Sequence, residues 1–205
     1  GAAPLVADLN AIAPITVTRL GAILDGLNLV DGSISGGPPD PAPGRRPTRV
    51  YLAGPRADEI ARLEHPRLDV RVLPGPPGSA SAVKMSTASV YKGLAALFLH
   101  ATASAHRAGV LAPVLDDLTA EFPDRVPGLG RFLALSASKA GRYVDEMREI
   151  AATQDAAGLP PELFTAMATV WDRVAATPLG ALAPEGAAGM ADLDGVLRTL
   201  DDHGR

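Results

Sequence analysis

Two lysines eight residues apart, Lys84 and Lys92, stand in "GSASAVKMSTASVYKG" (78–93), a stretch made largely of small residues. At 100° per residue of helix, Lys84, Ala88, Tyr91 and Lys92 fall within about 100° of one another, on one stripe. That face carries two ammonium groups and a phenol, and the alanines and serines around it let a ligand or another backbone come close. Near a helix start, the partial positive charge of the helix end disfavours an ammonium, and a lysine brought toward neutrality can move protons. The same spacing suits two solvated lysines on a wet helix face, so spacing by itself leaves both readings open.

Little else in the chain competes as chemistry. The histidines His65, His100, His106 and His203 make no recognised metal-ligand spacing, and no metal is expected. Asp116, Asp117 and Glu121 read as a solvated helix face, and Met167 with Trp171 as core or interface. Cysteine is absent, which removes thiol catalysis and thiolate metal sites. The chain has 205 residues, 19 of them basic and 23 acidic, for a net charge of -4 and no basic run. A nucleic-acid partner is not expected on that balance. No apolar run reaches the roughly eighteen residues of a membrane span, so a cytoplasmic protein without membrane contact is expected.

These candidates must be positioned by two kinds of segment. Before Gly75 the apolar runs are short and rich in β-branched residues: "PLVADL" (4–9), "NLVDGSIS" (28–35), "RVYLAG" (49–54) and "LDVRVL" (68–73) read as strands. Helices are predicted between them over 14–27 and 55–64, and the alternation argues for a mostly parallel sheet with ligands at its carboxyl ends. After "LPGPPG" (73–78) the period changes. One long helix is predicted over 79–110, followed by helices over 112–122, 130–158, 160–177 and 191–203. The expected fold is an α/β partial Rossmann-like sheet over 1–76, then an all-α helical domain with a long central helix over 77–205.

Four stretches resemble the β-hydroxyacid dehydrogenases, in that family's order. "LVDGSISGGPP" (29–39) is similar to their strand and loop in which an Asp is followed after three residues by Ser-Gly-Gly. "GPPGSASAVKM" (75–85) is similar to their Gly-x-x-Gly approach to a catalytic lysine and, through Lys-Met, to the 6-phosphogluconate dehydrogenases. "VADLNAIAP" (6–14) resembles the segment that reaches the nicotinamide end of the cofactor. "KAGRYVDEMREIAATQDAAGLPP" (139–161) resembles the helical C-terminal domain of a phosphogluconate dehydrogenase-like branch.

The resemblance implies an NAD(P)-dependent oxidoreductase acting on a small anionic hydroxy acid or its carbonyl counterpart. Lys84 matches the general acid/base, and Ser35, Gly36 and Gly37 match the loop that holds the substrate carboxylate. Asn10 matches a polar position near the cofactor. Where the family has Asn four residues after the lysine, this chain has Ala88, so Tyr91 and Lys92 are candidates to replace that contact. Arg142 is a candidate for an anionic group, or an ion-pair partner of Glu146 at i+4.

No strand leads into G-x-G-x-x-G, so weak or absent NAD(P) binding is expected of this chain alone. The first strands of a dinucleotide-binding domain would have to precede Gly1. A non-catalytic binding or dimerisation protein is therefore the alternative to an enzyme. In either case a homodimer is expected, because one α/β half-domain cannot cover so long an apolar helical surface.

Overall fold

The computed structural model describes residues 4–25, 27–40, 42, 44–63 and 65–201. In chain order the elements are β1 (Leu5–Asp8), α1 (Pro14–Ile23), β2 (Asn28–Ser35), β3 (Thr48–Ala53), α2 (Ala57–Ala61) and β4 (Leu68–Val72). Next come α3 (Ser79–Arg107), α4 (Leu111–Glu121), α5 (Leu129–Ala137) and α6 (Ala140–Ala156). The last are α7 (Glu162–Ala175), α8 (Pro184–Ala188) and α9 (Leu193–Asp201). A partial Rossmann-like sheet is thus followed by helices, with α3 the long one. Glu64 and His203, at which two of the expected helices end, lie outside the described residues.

The chain divides into two compact units, Gly1–Ala88 with Glu149–Pro161, and Ser89–Arg148 with Glu162–Arg205. The first holds a four-stranded sheet in the order β1-β2-β3-β4. β1 pairs with β2 and β3 with β4 in parallel, while β2 and β3 are antiparallel, so the sheet is mixed, with two of its three pairings parallel as expected. The cause is the connection: a parallel return needs a crossover, usually a helix, and the chain between β2 and β3 is "GGPPDPAPGRRP". Val30, Leu52 and Ala57 are almost wholly buried, with Leu5, Val50, Ile60 and Val70 packed against them. Residues 32–35 of β2 run past the β1 pairing, which ends at Asp8 opposite Asp31. That overhang carries the serine and glycine loop.

In the second unit Trp171, Leu129, Leu133, Met147, Leu179, Val196 and Leu197 are at most 1% exposed and form the interior. Each such aliphatic side chain contributes about 1.5–3 kcal/mol of transfer free energy. The single helix expected over 130–158 is two, α5 and α6. The amides of Ser138 and Lys139 turn back onto the carbonyls of Ala134 and Ser136, and the Ser138 hydroxyl donates to the Leu135 carbonyl. Serine competes for backbone carbonyls in this way and so weakens a helix interior. Gly130 has a packing reason: a Cβ there would collide with the Ala191 carbonyl, where the chain enters α9. No helix among the described residues is long and apolar enough to cross a membrane.

Candidate functional site

In the first unit the site is built where β2 meets the start of α3. Asp31 sits in the middle of β2 with no exposed surface, and one of its oxygens accepts the backbone N–H groups of Gly78 at 2.8 Å and Ser81 at 2.9 Å. Its other oxygen accepts the Ser81 hydroxyl at 2.6 Å. The N–H groups of a first helical turn lack intrahelical partners, and a carboxylate there also meets the positive end of the helix dipole. Asp31 thus caps α3 from a neighbouring strand. Gly78, at φ 106°, makes the turn into the helix.

One turn further along, the Lys84 ammonium donates to the Ile34 carbonyl at 2.7 Å. Ile34 immediately precedes Ser35, Gly36 and Gly37. The structure therefore brings Lys84 onto the strand end that carries the candidate anion loop. Ser35 is half-buried and the two glycines are exposed. Gly36 has φ 107°, and no atom lies within 4 Å of the place a Cβ would take on either glycine. The Gly37 carbonyl accepts the Thr48 hydroxyl at 2.7 Å, which ties the loop to β3. Lys84 itself is only partly buried, so its ammonium is within reach of solvent.

Asn10 lies past the carboxyl end of β1, where its backbone N–H and side-chain amide both donate to the same oxygen of Asp8. This is an Asx-turn, and it orients the exposed amide at the strand end. The other Asp8 oxygen is buried without a protein hydrogen bond.

Lys92, Tyr91 and Arg142 belong to the second unit. Lys92 is buried, and its ammonium forms an ion pair with the equally buried Glu146 while lying 4.8 Å from the centre of the Tyr143 ring. Lys92, a candidate substrate contact in the sequence, is thus shielded from water and engaged by a carboxylate of its own unit. Arg142 makes the i+4 pair with Glu146, at 2.9 Å, and its side chain remains 68% exposed. Tyr91 is exposed on α3. Burial raises the Tyr143 phenol above its ordinary pKa, against a smaller lowering by the Arg142 charge.

NAD(P), which the resemblance implies, would place its pyrophosphate at a helix N-terminus that follows a strand. β4 leads through "LPGPPG" onto α3, but Asp31 already holds the amides of Gly78 and Ser81. At the start of α1, Glu149 accepts the Ala13 N–H at 2.6 Å and the Thr16 hydroxyl at 2.8 Å. The N–H groups of Ala13, Gly78 and Ser81 are thus held by the chain's own carboxylates, and like charge disfavours a phosphate at these two helix starts. The starts of α1 and α3 therefore do not fit a dinucleotide pyrophosphate.

Sequence reasoning singled out Lys84 and the loop but not the residues that hold them. Asp31 carries a signal, since an acid flanked by glycine in the middle of a strand needs a buried partner. Glu149 and Glu146 carry none, because a glutamate on an amphipathic helix reads as a solvated charge until its neighbours are known.

Residues 105–174 match a domain of unknown function, DUF1932. No curated protein sequence matches the chain. Among solved structures, a conserved hypothetical protein from Sinorhizobium meliloti is 26% identical with a TM-score of 0.73, over 97% of this chain and 66% of its own. A conserved protein of unknown function with structural similarity to 3-hydroxyacid dehydrogenases is 28% identical, at TM-score 0.66, over 87% of this chain and 68% of its own. The 3-hydroxyisobutyrate dehydrogenase of Salmonella typhimurium, 20% identical, shares the fold at TM-score 0.60 over 95% of this chain and 68% of its own. The chain thus spans about two thirds of the length of the structures it matches. It shares its fold with proteins described as 3-hydroxyacid dehydrogenases or as structurally similar to them, and residues 105–174 of its helical part match DUF1932.

Proposed function

We propose that this chain carries the substrate-binding and proton-transfer half of a cytoplasmic, NAD(P)-dependent oxidoreductase of the β-hydroxyacid dehydrogenase type. Its substrate is a small hydroxy acid or the carbonyl counterpart. The observation that supports this most is the 2.7 Å hydrogen bond from the Lys84 ammonium to the Ile34 carbonyl, directly before Ser35, Gly36 and Gly37. A carboxylate received by the hydroxyl and backbone N–H groups of that loop puts the adjacent hydroxyl within reach of Lys84. As the neutral amine Lys84 takes that hydroxyl proton in oxidation and becomes the ammonium, and as the ammonium it returns the proton in reduction. Asn10 provides a polar contact at the neighbouring strand end. Hydride transfer would be supplied by a nicotinamide cofactor, whose pyrophosphate the starts of α1 and α3 do not seat.

In the native protein, Lys84→Ala should lower kcat by about 10²–10⁴-fold with a smaller change in KM, as expected for loss of a general acid/base. Unchanged turnover would remove the assignment. The carboxylates at the starts of α1 and α3 favour a second reading, a binding or dimerisation protein without hydride chemistry. Calorimetric titration with NADPH and NADH separates the two readings: micromolar binding by the native protein supports the enzyme, and its absence supports the alternative.

A further inference from the structure

We propose that Asp31 is a positioning residue for Lys84: its carboxylate fixes the first turn of α3 against β2, and so sets the register that brings the Lys84 ammonium onto the Ile34 carbonyl beside the anion loop. The inference rests on the proton-transfer reading of Lys84 for its functional meaning, but its geometry stands independently.

Two ties join the same strand and helix. Asp31 meets Ser81, and three residues later on each element Ile34 meets Lys84. The two ties are one helical turn apart on α3, so together they constrain both the position and the rotation of its first turns against β2. A one-residue slip of the helix turns the Lys84 Cα by about 100° and moves it about 1.5 Å along the axis. Displacements of this size in a reacting group cost on the order of 10²-fold in rate.

Three hydrogen bonds to a carboxylate with no exposed surface make the first tie the firmer one. Bonds to an ionised acceptor are roughly twice as strong as neutral ones. The Lys84 end is partly open to water and is held by a flexible stem. Asp31 therefore acts on the reaction through the helix, without touching substrate.

The test follows the Lys84 ammonium by nuclear magnetic resonance in the full chain with isotope-labelled lysine, the signal being identified by its loss in Lys84→Ala. Asp31→Asn, Asp31→Ala and Ser81→Ala are compared with the wild type and with Glu59→Gln, a remote surface control. Solvent exchange of the Lys84 ammonium should quicken in the order Ser81→Ala, Asp31→Asn, Asp31→Ala, by about threefold to tenfold for each hydrogen bond lost. The Leu52 and Val50 amides of β3 should keep their protection. In the native enzyme the same variants should lower kcat in that order and leave KM nearly unchanged.

Wild-type exchange at Lys84 in a folded Asp31 variant would overturn the proposal. If neither Asp31 variant folds, wild-type exchange in Ser81→Ala overturns it instead. If Lys84→Ala leaves turnover intact while the Asp31 variants still release the ammonium, the catalytic reading fails and the positioning stands. If Lys84→Ala abolishes turnover while Asp31→Asn keeps both exchange and kcat, the positioning fails and the catalytic reading stands.

Discussion

Lys92 and Glu146 form an ion pair inside the helical unit in which each residue keeps only 8% of its surface exposed. Removing Lys92 leaves the buried Glu146 with only the largely exposed Arg142 as counter-charge, whereas replacing both Lys92 and Glu146 with apolar residues of similar size removes the buried charges. Lys92→Ala should therefore destabilise the protein by about 3–5 kcal/mol, measured by urea unfolding. The double variant Lys92→Met with Glu146→Leu should recover most of that loss. A Lys92→Ala protein of wild-type stability with a raised KM would instead restore the substrate-binding role.

The Tyr143 phenol lies below the Lys92 ammonium and edge-on to Trp171, with ring centroids 5.2 Å apart. Burial raises its pKa, so the folded state holds the phenolic proton more tightly than the unfolded chain does. The resulting stability is present below the ordinary phenol range and is lost as pH rises through the raised value. Thermal unfolding at increasing alkaline pH should show this loss, and Tyr143→Phe should flatten it. A phenolate absorbance titration at the ordinary tyrosine value would contradict the burial argument.

The strands of the first unit were legible because each is a short apolar run closed by Gly, Pro or a charged turn; β2 coincides with "NLVDGSIS" (28–35). The long helix was legible for the opposite reason, since nothing between Ser79 and Arg107 breaks it except Gly93. The antiparallel β2–β3 pair was also written in the sequence, in a Gly and Pro connection with no helical pattern, although strand alternation pointed elsewhere. The partners of the charges were not legible. Lys84 and Lys92 share one stripe by periodicity, yet one bonds a strand carbonyl and the other a carboxylate on α6. Periodicity says which face a residue takes on its own helix, and only the fold says what stands opposite.

Gly36 and Gly37 differ in kind although both line the candidate anion loop. Gly36 has φ 107°, a conformation that side-chain-bearing residues rarely adopt, while Gly37 has no such constraint. Gly36→Ala should cost about 1–3 kcal/mol from backbone strain, and should weaken binding of a small hydroxy acid by misaligning the loop N–H groups. Gly37→Ala, with open space at its Cβ, should leave urea stability near the wild type. Equal stability of the two variants would show that the loop relaxes to accept a side chain at Gly36.

Val90 and Leu97 stand seven residues apart on α3 and expose 65% and 59% of their surfaces, with Tyr91 beside them at 65%. Seven residues bring a helix back to nearly the same direction, so Val90 and Leu97 form one apolar stripe. Unpaired large apolar side chains repeated along one stripe favour burial against another surface, and two copies of one chain supply a matching stripe by two-fold symmetry. A homodimer through α3 is the expected arrangement. Light scattering at micromolar concentration should give twice the chain mass, and Val90→Glu combined with Leu97→Glu should halve it by placing four like charges, two from each copy, at the symmetric contact. Circular dichroism should be unchanged in that variant, since both positions are exposed in the single chain. A monomeric wild type, or a doubly charged variant that stays dimeric, would rule this surface out as the dimer contact.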